Sequence, residues 1–272
     1  MSHLIVSNLT KTVGDKTLFQ NIEFTIYEGE RAGLIGINGT GKSTLLSILA
    51  KKQDADTVDF DHPNKYRIAY LEQDPQFSTD ITVLQAVFDG DSPILQLNRA
   101  YEESVTALSQ NPQSEKLQNE LFRLQQQMDT ENAWDVNALA KQALTKLGID
   151  MFDKNVTELS GGQQKRVALA KVLIEPADLY LLDEPTNHLD VASTEWLQDM
   201  VSRLKGAVIF ITHDRYFLDE TATHIYELAD KTLYRHTGSY GDFLEARAIR
   251  EEMNAASQAK MQNRYRAELK WI

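Results

Sequence analysis

Cysteine is absent from the 272 residues. Disulfides, thiolate metal sites and a cysteine nucleophile are therefore excluded. No run approaches the ~18 consecutive apolar residues that would cross a bilayer. Positions 1–10 lack the basic start and apolar core of a secretory signal, so a cytoplasmic protein is expected. Positive charge is scarce as well: 28 Lys and Arg stand against 40 Asp and Glu, a formal net charge of -12. Such a body is a poor general ligand for nucleic acid, because phosphates are held mainly by Lys and Arg. The deficit is uneven. From Arg247 onward, Arg247, Arg250, Lys260, Arg264, Arg266 and Lys270 face Glu251, Glu252 and Glu268. An acidic body thus ends in a basic tail.

Against these absences stands one dense motif, Gly36-Ile37-Asn38-Gly39-Thr40-Gly41-Lys42-Ser43-Thr44. Its glycines, Lys42 and Ser43 have the spacing of a phosphate-binding loop. The run follows apolar residues 32–37 and precedes Leu45, Leu46, Ile48 and Leu49 at helical spacing. That is the strand–loop–helix context the motif requires. Glycine lets successive N–H groups curl toward one anion, and the helix that follows presents its positive end to the same place. In such a loop Lys42 reaches the β- and γ-phosphates and the Ser43 hydroxyl ligates Mg²⁺.

The rest of the chain alternates strand and helix signals. Residues 4–9 and 17–26 read as strands, with turn signals at Asn8, Gly14-Asp15 and Glu28-Gly29. Residues 66–73 form another short apolar run. From Thr82 to about Leu147 the pattern is helical, with a bend at Asn111-Pro112. Leu117, Leu121, Leu124 and Met128 share one helical face there, which favours a helix packed on its own domain over a partner-binding arm. Residues 179–182 form an apolar strand ending at Asp183-Glu184, and residues 207–211 another ending at Thr212-His213. Polar residues at such strand ends suggest a parallel α/β sheet with its site there. From Asp242 one helix free of Gly and Pro runs to Ile272, and the chain stops inside it without a cap, so a fragment of a longer protein is expected.

Asp183 ends an apolar strand, the arrangement that holds Mg²⁺ opposite the loop serine. Glu184 follows, where a carboxylate orients or deprotonates a water. Upstream, Leu159-Ser160-Gly161-Gly162-Gln163-Gln164 resembles the signature of the ATP-binding-cassette superfamily. Ser160 and its glycines open a helix whose N-terminus offers N–H donors to phosphate. The resemblance implies that this segment closes over ATP held by a second cassette. It also implies that Gln73 is the glutamine near Mg²⁺ and water, and that His213 contacts the γ-phosphate. Pro185-Thr186-Asn187-His188-Leu189-Asp190, residues 212–219 and residues 238–245 resemble the ABC-F family more closely, and Gln163-Gln164-Lys165-Arg166 with Trp134-Asp135 leans toward its Uup-like members.

The implied fold is α/β: a P-loop cassette core over 1–241 with an antiparallel β subdomain and a helical subdomain at about 82–175. A linker helix would start at 242. The implied ligands are ATP and Mg²⁺. Gly36, Asn38, Gly39, Thr40, Gly41, Lys42, Ser43 and Thr44 would hold phosphate, and Ser43, Gln73 and Asp183 the metal. Glu184, His213, Gln73 and Lys42 would be catalytic. Implied partners are a second cassette, supplying Ser160, Gly161, Gly162 and Gln163 in trans, and the ribosome or its RNA. A transporter cassette would use the same nucleotide residues, but Asn187-His188 and the basic helix after Phe243 weigh against it. One departure stands out: cassettes commonly stack an aromatic ring on adenine where this chain has Val13, so selectivity for adenine is expected to relax unless Phe19 substitutes.

Overall fold

The computed structural model describes residues 2–250. Two sheets organise it. Strands β1 (His3–Val13), β2 (Lys16–Tyr27) and β4 (Thr57–Asp61) form a three-stranded antiparallel sheet in the order β2-β1-β4. The second sheet has six strands in the order β5-β6-β7-β3-β8-β9. They are β3 (Arg31–Ile35), β5 (Ile68–Leu71), β6 (Leu179–Asp183), β7 (Ala207–Ile211), β8 (His224–Ala229) and β9 (Thr232–Thr237). All neighbours pair in parallel except β9, which returns antiparallel to β8 at the edge.

Every residue of β6 and β7 is buried, as expected for central parallel strands covered on both faces. Their side chains alternate between two cores. Leu179, Leu181, Ile209 and Ile211 face the antiparallel sheet and helix α1 (Lys42–Leu49). Tyr180, Leu182, Val208 and Phe210 face α6 (Gly161–Ile174) and α7 (Val191–Arg203). The parallel core read from the sequence is present, flanked by the antiparallel sheet.

Helices α2 (Val83–Val87), α3 (Pro93–Gln110), α4 (Glu115–Thr130) and α5 (Trp134–Lys146) lie between β5 and α6. Asn111 caps α3, so the bend falls where Asn111-Pro112 puts it. Leu124 and Met128 are buried and Leu117 and Leu121 partly so. None of the described helices is long and apolar enough to cross a membrane.

Some local readings change. Asn8 does not make a turn: at φ 54 it forms an irregularity within β1, where the register shifts between Val6 and Leu9. Strands β4, β8 and β9 carry no signal in the reading above. The β8–β9 loop is two residues, Asp230 and Lys231, at φ 50 and 63, the conformation of a tight primed turn without its usual glycine.

Residues 240–250 are helical and packed on β8–β9. Phe243 is 1% exposed and contacts the His236 ring edge-on. Glu227, a buried carboxylate of β8, pairs with Arg250 and lies 3.8 Å from Arg247. The Arg250 guanidinium also stands 4.7 Å over the Tyr234 ring. Residues 251–272 of the expected linker helix, with most of its basic side chains, lie outside the described residues.

Candidate nucleotide site

Strand β3 delivers the chain into residues 36–41, and α1 carries it away. A side chain at Gly36 would meet the Leu228 carbonyl at 2.6 Å, so only glycine fits beside β8. Gly41, the residue before α1, sits at φ 103, a conformation other residues rarely adopt. Within the loop, Thr40 Oγ1 donates to the Ile37 carbonyl at 2.9 Å. Lys42 Nζ donates to the Gly36 carbonyl at 2.8 Å, with the Ile37 carbonyl and Asn38 Oδ1 at 3.5 Å. The ammonium is thereby folded back over the loop.

Opposite stand the ends of β6 and β7. Asp183 is 5% exposed and is hydrogen-bonded by the Ser43 side chain. Burial holds its carboxyl above the usual carboxylate range, against the opposing pull of Ser43 and Lys42. Glu184 takes a left-handed turn at φ 51, and its N–H donates to the Ile211 carbonyl at 2.9 Å. That turn swings its side chain toward His213, whose Nε2 lies 3.3 Å from Glu184 Oε1. Burial again raises the Glu184 carboxyl, opposed mainly by His213. Burial lowers the Lys42 ammonium, while Glu184 and Asp183 oppose that fall.

Asn38, Gly39, Gly41, Lys42, Ser43, Thr44, Gln73, Asp183, Glu184 and His213 line one open cleft of about 440 Å³, a volume suited to a small ligand. Asn187 and Ile211 line it too. Asn187 is an addition to the residues singled out above, although the Pro185–Asp190 motif contains it. Its N–H donates to the Glu184 carbonyl at 3.2 Å. A larger cleft of about 820 Å³ lies between Tyr70, α3 and α6, away from the phosphate loop; several of its charged groups are paired, as in Arg99–Asp89 at 2.7 Å.

Other sequence candidates lie elsewhere. Ser160 and Gln163 form a reciprocal cap at the start of α6: Gln163 N–H donates to Ser160 Oγ at 3.3 Å, and Ser160 N–H to Gln163 Oε1 at 3.0 Å. With Gly161 and Gly162 they do not line the cleft. Neither does Val13, which is 52% exposed. Phe19 is fully buried, its ring 3.1 Å from where a Gly41 side chain would begin. It presents no open face to a base.

The donors suit a small hard cation. Asp183 Oδ2 and Glu184 Oε2 are buried without a hydrogen-bond partner. With Ser43 and Gln73 they supply oxygen donors, and no cluster of three His, Cys, Asp or Glu occurs among the described residues. Few protein oxygens beside a phosphate site is the pattern of Mg²⁺, which completes its shell with water and substrate phosphate. It is not that of a dedicated transition-metal cage.

This sheet order and this strand–loop–helix define a P-loop α/β domain. Residues 19–187 match the ABC transporter family, and the chain belongs to that family, in its ABC-F branch. An ABC transporter ATP-binding protein of Bacillus subtilis, YfmR, is 48% identical over 100% of this chain and 43% of its own length. The energy-dependent translational throttle protein EttA of Mycobacterium tuberculosis is 37% identical over 98% of this chain and 48% of its own. The ATP-binding protein Uup of Escherichia coli is 34% identical over 96% and 41%. The chain therefore spans less than half the length of these curated relatives. Among solved structures, the ATP-binding subunit of an ABC transporter gives a TM-score of 0.62 at 17% identity, covering 86% of this chain and 89% of that one. An ATP-binding cassette of another ABC transporter gives 0.58 at 22%, covering 88% and 92%. These two likenesses concern the fold alone.

Proposed function

We propose that this cassette binds ATP with Mg²⁺ and hydrolyses the γ-phosphate by in-line attack of water. The observation that carries the reading is the half-buried Glu184 carboxylate, held 3.3 Å from His213 on the rim of the phosphate-loop cleft. The loop N–H groups and the N-terminus of α1 would hold the β- and γ-phosphates. Lys42 would leave the Gly36 carbonyl for phosphate oxygens. Ser43, Asp183 and Gln73 would hold Mg²⁺, which when bound neutralises charge on the β- and γ-oxygens. Glu184 would orient the water and accept its proton as the new P–O bond forms and the β–γ bridge breaks. His213 would donate to a γ-phosphate oxygen. Catalysis of this kind is positioning and charge neutralisation.

The domain limits follow the same reading: a cassette through residue 241, with its helical part at about 82–175, then a linker from 242. Ser160–Gln163 line no part of their own cleft, which supports a site completed by a second cassette, in the longer protein or in another copy. Kinship with a protein named a translational throttle supports action on the ribosome. ATP would then hold a closed, bound state and hydrolysis release it.

The test is ATPase rate against protein concentration, with and without ribosomes and with Lys42→Ala as control. The expected rate per molecule rises with concentration or with ribosomes and vanishes in the variant. A rate untouched by Lys42→Ala, or no nucleotide binding at all, would overturn the reading.

A further inference from the structure

The register of β6 and β7 ends where Asp183 pairs with Ile211. Past that rung both strands run into turns, one carrying Glu184 and the other His213. Glu184 sits at φ 51, a left-handed conformation that a non-glycine residue keeps only when its surroundings impose it. Its N–H donates to the Ile211 carbonyl, which joins the two chains at that point. One bond fixes a point and not a direction, and the carboxylate and the imidazole both lie beyond it.

A second tie lies two residues after Glu184 and one before His213. The Thr186 and Thr212 hydroxyls are 2.7 Å apart and hydrogen-bonded. Thr212 is buried, and its Oγ1 also accepts the Asp214 N–H at 3.1 Å. A hydroxyl has one proton to give and two lone pairs, so Thr212 serves both partners at once. On the other side, the Thr186 carbonyl accepts the Leu189 N–H at 3.2 Å and the Glu184 carbonyl accepts the Asn187 N–H at 3.2 Å. Each turn is thus braced within itself, and the hydroxyl pair joins the two braces. Neither threonine lines the phosphate-loop cleft. A bridge at this place bears on the spacing of Glu184 and His213 and not on contact with a nucleotide.

Resting on the hydrolysis reading above, we propose that Thr186 and Thr212 are positioning residues: their hydroxyl bridge holds the Glu184 turn against the His213 turn and so sets the Glu184–His213 spacing. Where catalysis is positioning, a shift of about 1 Å costs on the order of 10²-fold in rate. Thr186→Val keeps the β-branched shape and removes the hydroxyl. Thr186→Ala removes it without any steric demand, and Thr186→Ser retains it. The experiment takes the full chain and measures single-turnover ATP hydrolysis with Mg²⁺, the affinity for a fluorescent ATP analogue, and the melting midpoint. In the nucleotide-free chain it also measures the nuclear Overhauser contact between the His213 ring and the Glu184 side chain. The Val and Ala variants are expected to hydrolyse about ten- to a hundredfold more slowly, to bind the analogue within about twofold of the parent, and to lose much of the contact. The Ser variant is expected to keep the parental rate and the contact. Parental hydrolysis in Val and Ala, or an undiminished contact, would overturn the inference. So would a Ser variant as slow as Val, or rate, affinity and melting midpoint falling together, which would make the bridge a support of the fold alone. A parent chain that binds no triphosphate would overturn the nucleotide reading, while the contact measured without nucleotide would still decide whether the bridge sets the spacing.

Discussion

Glu184 carries a charge that folding opposes. Burial raises its carboxyl above the ordinary value of 4.5. A raised folded-state value means that folding favours the protonated form. The stability it contributes is full below the unfolded value and is lost as pH rises through the folded one. At neutral pH the nucleotide-free protein therefore holds this charge at a cost. Glu184→Gln is expected to raise the nucleotide-free melting midpoint at neutral pH, a gain that disappears as pH falls toward 4.5. The same substitution is expected to retain ATP binding and to slow hydrolysis by about 10²–10⁴-fold, the usual worth of a general base. Thermal melts across pH and single-turnover hydrolysis check the two halves separately.

At the scale of elements, two contacts tie the phosphate-loop strand to its surroundings. Gly41→Ala would force a side chain onto φ 103, within 3.1 Å of Leu18 and Phe19. A loss of about 1–3 kcal/mol is expected for such strain, seen as a lower midpoint together with lost nucleotide binding. At the other end of β3, the buried Arg31 guanidinium donates to the Val201 carbonyl at 2.9 Å and the Gly206 carbonyl at 3.0 Å, and also to that of Leu204. It closes the C-terminus of α7 onto the sheet. Arg31→Met removes these charged donors from a buried site and is expected to cost about 2–4 kcal/mol in denaturant unfolding. Legibility differed between elements for physical reasons. Strands β6 and β7 are continuous apolar runs that lead into Asp183-Glu184 and Thr212-His213, and β3 leads into the phosphate-loop glycines, so burial on both faces announced them and the site at their ends. Strand β8 hides because His224 and Glu227 interrupt its apolar pattern; His224 is half-buried, and Glu227 becomes buried through tertiary partners. Its hairpin turn uses Asp230-Lys231, which carries none of the usual glycine signal. Asn8 misled because the same left-handed conformation serves a turn or a strand irregularity. Asp183, Glu184 and His213 were readable as strand-end polar residues, whereas the burial of Phe19 and the reach of Lys16 to Gly39 depend on how the hairpin folds over the loop.

For the whole molecule, the last described helix is held by the β8–β9 edge of the six-stranded sheet. Its anchor, Glu227, pairs in register with Ile35 of β3, one residue before the phosphate loop. Glu227→Ala is expected to speed amide exchange in residues 240–250 by about tenfold or more, with the central strands unaffected. Exchange measured by mass spectrometry checks it; an unchanged rate there would mean that Phe243 alone suffices. Residues 240–250 are gripped near both ends, by the Phe243–His236 contact and by the Glu227–Arg250 pair. A tilt of β8, the neighbour of the phosphate-loop strand, is therefore passed to that stretch of helix as a rigid turn and not lost in bending.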